Sequence, residues 1–145
     1  TIDHATDGAR IADLIAASGY PVIVGPALTS KSKPELENKS FATAGKLHNA
    51  GVALMSITTD APVSTLDYLP FCAGMCASEG LPMEEAWKAI TINPAKIIGI
   101  EERVGSLEVG KDADIAIWTA DPLTTVGAKA YMTIIDGKIV CDKLA

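Results

Sequence analysis

The sequence predicts an α/β fold built on a parallel sheet, followed by a small antiparallel β part. Three observations carry this. The run Val52-Ala53-Leu54-Met55-Ser56-Ile57 is mostly apolar and unbroken before it gives way to Thr58, Thr59 and Asp60. A continuous run, not an alternating one, marks a strand buried on both faces, as parallel strands flanked by helices are. From Asp3 to Asp60 the pattern reads strand, helix, strand, helix, strand, the signature of right-handed βαβ units. Beyond about Glu101 the chain breaks into short apolar segments punctuated by glycine, as antiparallel strands joined by tight turns do.

The chain opens Thr1-Ile2-Asp3-His4 with no cap or turn ahead of it, and reads as though it starts inside a strand of something longer. Asp7 is an expected N-cap for a helix whose apolar stripe is Ile11, Leu14 and Ile15 and whose C′ residue is Gly19. Pro21 to Pro26 is a short buried strand between breakers. The polar stretch Thr29 to Asn38 is long for a βα connection, and long loops on α/β scaffolds are usually functional or mobile. Ser40 caps a helix from Phe41 to Ala50, stopped by Gly51 ahead of the Asp60 strand.

After Asp60 a helix is expected from about Tyr68 to Ser78, with Pro70 in its first turn. Pro82 stands at N1 of the next, with Glu84 and Glu85 near its positive end. Asn93 caps a further short helix, with Pro94 at N1 and Gly99 closing it. Short strands are expected at Val104–Leu107, Gly110–Trp118 and Met132–Val140, with Asp136-Gly137 a type I′ hairpin turn. The division is therefore residues 1–101 and residues 102–145.

Composition narrows the function. With 145 residues, 48% hydrophobic and 21% charged, the chain can bury a sizeable core. Its net charge of −6, without a Lys/Arg cluster, argues against nucleic-acid and anionic-membrane partners, which need a basic footprint. No apolar run approaches the roughly 18 residues of a membrane span. Cys72 and Cys76 are spaced i, i+4 on one helix face and Cys141 falls in a strand. Without further Cys or His nearby they read as small buried hydrophobes in a reducing cytoplasm rather than metal ligands.

Asp60 and His4 are the candidate site residues. An acid at the carboxyl end of an interior parallel strand stands where such folds place their chemistry, although Asp also caps helices and closes turns. His4, at the end of the first strand, is a candidate metal ligand, electrophile or base, or else a hydrogen-bonded loop histidine. His48, one turn before Gly51, interacts with its own helix C-terminus and is set aside. Two donors are fewer than the three protein ligands of a catalytic zinc.

The segments "TIDHATDG", "PVIVGP", "AGVALMSITTDAPV", "AITINPAKIIGIEERVGSLEVGKDADIAIWTADPL" and "IIDGKIV", in this order, resemble the C-terminal part of metal-dependent amidohydrolases, most of all their imidazolonepropionase-related branch. The resemblance implies strands six to eight of a (β/α)8 (TIM) barrel, then the closing strands of a composite β-sandwich. It implies His4 as a strand-six metal ligand (a substrate contact in some mononuclear relatives). Asp60 becomes the strand-eight aspartate, a metal ligand that carries a proton from the metal-bound water to the leaving nitrogen. Many relatives carry His directly after this aspartate, where this chain has Ala61.

The implied cofactor is a divalent metal, zinc by preference, held in a longer parent. Such a barrel takes about 250 residues, and the strand-one H-x-H pair, the strand-four lysine where used and the strand-five histidine would precede Thr1. The parent would hydrolyse amide or cyclic C–N bonds of a small-molecule substrate, the 145 residues alone being inactive. Self-association or association with the missing N-terminal part is expected from unpaired strand edges. The alternatives are a non-enzymatic α/β binding module that keeps these motifs for packing, and a barrel completed by several copies.

Overall fold

The computed structural model describes residues 1–143. Strand β1 (Val22–Val24) pairs parallel with β2 (Met55–Ile57) in the register Val22↔Met55, Ile23↔Ser56, Val24↔Ile57. Ile2 joins β1 through a parallel bridge to Val22. Three extended segments thus lie side by side in chain order, crossed over by α1 (Ala12–Ser18) and α2 (Ala42–Asn49). All three residues of β2 are buried, as its unbroken apolar run requires. The regular strands are shorter than the apolar runs that announce them: Val52, Ala53 and Leu54 lead into β2 without strand geometry.

The edge of β2 that faces away from β1 is not left bare. Ile57 N–H donates to Ala89 O at 3.0 Å, and Asn93 Nδ2 donates to Met55 O at 2.8 Å. The donors and acceptors come from the corner between α4 (Met83–Lys88) and α5 (Ile92–Ile98). Asn93 is therefore no N-cap: it sits inside the first turn of α5, and its amide serves the neighbouring strand.

Helix α3 (Leu69–Ser78) packs on α2, α4 and β2, with Pro70 in its first turn as expected. Val22, Val24, Leu47, Met55, Ile57, Cys72, Cys76 and Ala86 form the core where these helices meet the strands. Gly74 on α3 is obligatory, because a Cβ there would lie 1.9 Å from Leu123 O. Burial raises the Cys72 and Cys76 thiols above their ordinary pKa, Cys76 to about 12 with Cys72 contributing. Both are packing residues, whereas Cys141 is exposed.

The second sheet is antiparallel, in the order β3 (Ile115–Trp118), β4 (Ala130–Ile135), β5 (Lys138–Asp142). Asp136 and Gly137 take φ of 50° and 72°, the paired left-handed residues of a type I′ hairpin.

Further expectations need correction. Residues 104–106 form bends and Leu107 is irregular, and only Ile115–Trp118 of the second expected strand is regular. Gly105, at φ 93°, is pressed against Ile92 and Ala95, so this segment follows α5 instead of a strand partner. Asp7 caps nothing; a 3-10 turn (Gly8–Arg10) separates it from α1, and its carboxylate accepts from Asn38 Nδ2 at 2.7 Å. Of the α1 stripe only Ile15 is buried, Ile11 and Leu14 being exposed; α1 packs on α2 and on the 3-10 turn before it. Pro82 stands one residue earlier than expected, immediately before α4.

Candidate functional site

His4, Gly25 and Asp60 follow the carboxyl ends of three adjacent parallel segments, so the sheet itself delivers them to one rim. Gly25 N–H donates to His4 O at 3.2 Å, and Thr58 N–H donates to Val24 O at 2.9 Å. The approach between strand ends is close enough to demand glycine: a Cβ on Gly25, which has φ 122°, would stand 2.3 Å from Thr58 O.

At that rim His4 Nε2 lies 3.2 Å from Asp60 Oδ2, both side chains about half exposed at 53% and 44%. The two are at hydrogen-bonding distance, the carboxylate accepting when Nε2 carries the proton. Asp60 N–H donates to Thr58 Oγ1 at 3.0 Å, an Asx-like turn that fixes where the carboxylate emerges. His4 and Asp60 have φ of 66° and 51°. Left-handed backbone at a non-glycine residue is uncommon and costs free energy, and it gathers at functional sites.

The loops behind the pair are tied together. Ser64 Oγ, beyond Asp60, donates to Leu28 O at 2.8 Å, and Asn38 Nδ2 reaches Asp7 beyond His4. Lys39, 8% exposed, donates from Nζ to Ser30 O at 2.9 Å and Thr29 O at 2.7 Å, and to Thr29 Oγ1. Burial, and then the Lys31 cation, hold its ammonium below the ordinary lysine pKa. Lys39, Ser40 and Thr43 join His4 and Gly25 around a cavity of about 10 Å³, the room one water takes. Thr43 Oγ1 is buried and has no hydrogen-bond partner among the described residues.

The two residues picked from the sequence thus come together. His48 lies in the last turn of α2, the end opposite the Ser40–Thr43 turn that lines the cavity. Lys39, Ser64 and Asn38 escape sequence reasoning, since a lone polar residue in a polar loop carries no periodic signal. Two donors bound to one tetrahedral zinc stand about 3.3 Å apart by its bond lengths, so the His4–Asp60 spacing fits a shared metal in kind. Among the described residues no third His, Cys, Asp or Glu completes a set, so they account for part of a metal centre at most.

A parallel α/β layer that gathers a histidine and an aspartate at its carboxyl rim belongs to the class of α/β proteins whose chemistry sits outside the strand ends. The chain belongs to the Amidohydrolase family, whose profile matches residues 1–140. It is 38% identical over 98 residues to the imidazolonepropionase of Maricaulis maris (strain MCS10), covering 66% of this chain and 22% of that protein. It is 35% identical over 96 residues to amidohydrolase tasK of Hapsidospora irregularis, covering 66% and 10%. An amidohydrolase structure from Thermotoga maritima MSB8 superposes with a TM-score of 0.91 at 37% identity, over 97% of this chain and 36% of that one. A zinc-bound adenosine deaminase from Xanthomonas campestris gives 0.64 at 26%, over 92% and 35%. The chain spans about a third or less of the length of these relatives.

Proposed function

We propose that these residues are the C-terminal portion of a metal-dependent hydrolase of amide or cyclic C–N bonds. Residues 1–101 supply strands six to eight of its (β/α)8 barrel, and residues 102–145 the closing strands of a β-sandwich. The observation that carries the reading is the His4–Asp60 pair at 3.2 Å on one rim, within an Amidohydrolase chain. Both side chains are open enough to meet a substrate.

A bound divalent metal, zinc by preference, would supply an acidified water with a pKa of roughly 7. His4 and Asp60 are the residues of this chain that would hold it. Asp60 accepts the proton as the water oxygen joins the carbonyl carbon, and returns it to nitrogen as the C–N bond breaks. Ala61, directly after Asp60, is exposed and offers the site no polar contact. The remaining ligands come from polypeptide outside these residues, so the 145 residues by themselves are inactive. The free thiols suit a cytoplasmic setting.

The test is hydrolysis by the full-length protein of imidazolonepropionate and a panel of N-acyl amino acids, with metal content measured alongside. Turnover that disappears in Asp60→Asn, with the circular dichroism spectrum unchanged, supports the assignment. Wild-type turnover in that variant removes Asp60 from the chemistry.

A further inference from the structure

Residues 26–38 leave β1, pass through a 3-10 turn at Pro34–Leu36 and return to α2 beside the candidate site. This strap is long and rich in polar residues, yet it is fastened at several points. Asn38 binds Asp7 in the loop after His4, and Ser64 in the loop after Asp60 binds Leu28 O. Lys31 Nζ closes the strap on itself by donating to Glu37 O at 2.7 Å. The strongest fastening is Lys39. All three donors of its ammonium can be used on the strap's first half, at Thr29 O, Thr29 Oγ1 and Ser30 O.

A lysine is rarely buried unless something needs it there. Hydrogen bonds from a charged donor are about twice as strong as neutral ones, and the stem of Lys39 is held under the strap at 8% exposure. Both Lys39 and the strap's root, Gly25 to Ala27, line the same small cavity as His4. We propose that Lys39 is a positioning residue: its ammonium latches residues 26–38 into a fixed wall beside His4, so that a substrate meets a formed pocket side instead of a mobile loop. The inference rests on the hydrolase reading for its substrate, but the latch itself is read without turnover.

Trypsin supplies the probe, because Lys31–Ser32 lies in the strap and Lys33–Pro34 resists cleavage. When opening is fast relative to cutting, the rate follows the population of the open strap. Folded full-length Lys39→Met is expected to be cut at Lys31–Ser32 roughly tenfold faster than wild type or more, a ratio equal to about 1.4 kcal/mol. Lys39→Arg, which keeps the cation and its donors, is expected to restore most of the protection. If Lys39→Met does not fold, Thr29→Val removes one acceptor without stranding a charge and is expected to speed cleavage about threefold. Equal rates in the folded variants and wild type overturn the latch.

Against whichever substrate shows Asp60-dependent turnover, Lys39→Met raises KM at least severalfold while kcat changes little. An unchanged KM alongside faster cleavage overturns the positioning role. Absence of turnover in the wild type overturns the hydrolase reading and leaves the cleavage rates to decide the latch.

Discussion

Replacing Gly25 with alanine tests the geometry that brings the two candidate residues to one rim. The new Cβ would sit 2.3 Å from Thr58 O, about 1 Å inside ordinary van der Waals contact, on a backbone with φ 122°. The backbone conformation costs an L-residue about 1–3 kcal/mol. Forcing a methyl against a packed carbonyl costs about 1–3 kcal/mol more. A loss of roughly 2–6 kcal/mol falls within the 5–15 kcal/mol of a typical domain. At about 2–4 °C per kcal/mol for a chain of this size, it lowers Tm by roughly 4–24 °C.

Gly19→Ala is the matched control. Its φ is 69°, but nothing stands within 4 Å of where a Cβ would be, so it bears the backbone cost alone, about 1 kcal/mol. Urea titration of both variants separates clash from conformation. Equal destabilisation would mean that the β1 and β2 ends do not approach as described.

Met55→Asp places an unpaired charge at a position 5% exposed, a cost of several kcal/mol; loss of the cooperative denaturation transition is expected, and a cooperative variant would place β2 at the surface. Asn93→Leu strands Met55 O and is expected to cost about 1–3 kcal/mol in urea titration, whereas neutrality would show the bond to be incidental. Of the three cysteines, exposed Cys141 is expected to react with a thiol reagent in the native protein, and buried Cys72 and Cys76 only in denaturant. Because Cys76 is raised from 9.0 to about 12, the unfolded chain releases that proton first. Its contribution is intact below pH 9 and is lost as pH rises toward 12, which alkaline denaturation curves report with and without Cys76→Ala.

The legible parts of this chain are those governed by periodicity and punctuation. The apolar run marked β2, and Gly19 and Gly99 end their helices in left-handed backbone at φ 69° and 74°, where glycine is the natural residue. His4 and Asp60 stood out as polar groups at the ends of apolar strands. What stayed hidden depended on partners distant in sequence. Asp7 looks like a cap until Asn38, 31 residues away, takes its carboxylate. Asn93-Pro94 looks like a helix start until Met55 O, 38 residues away, takes the amide. Lys39 offers no sequence signal, because its three acceptors are hydroxyl and carbonyl groups of an irregular strap.

The α4–α5 corner makes the two flanks of the sheet unequal. With Ala89 O and the Asn93 amide already engaged on β2, a newcomer on that flank would have to evict existing bonds before zipping on. The opposite flank, at residues 1–3, carries no strand pairing among the described residues beyond the bridge to β1. A closed barrel would bring a strand to both flanks, to residues 1–3 directly and to β2 only once the bonds to Ala89 O and the Asn93 amide have given way.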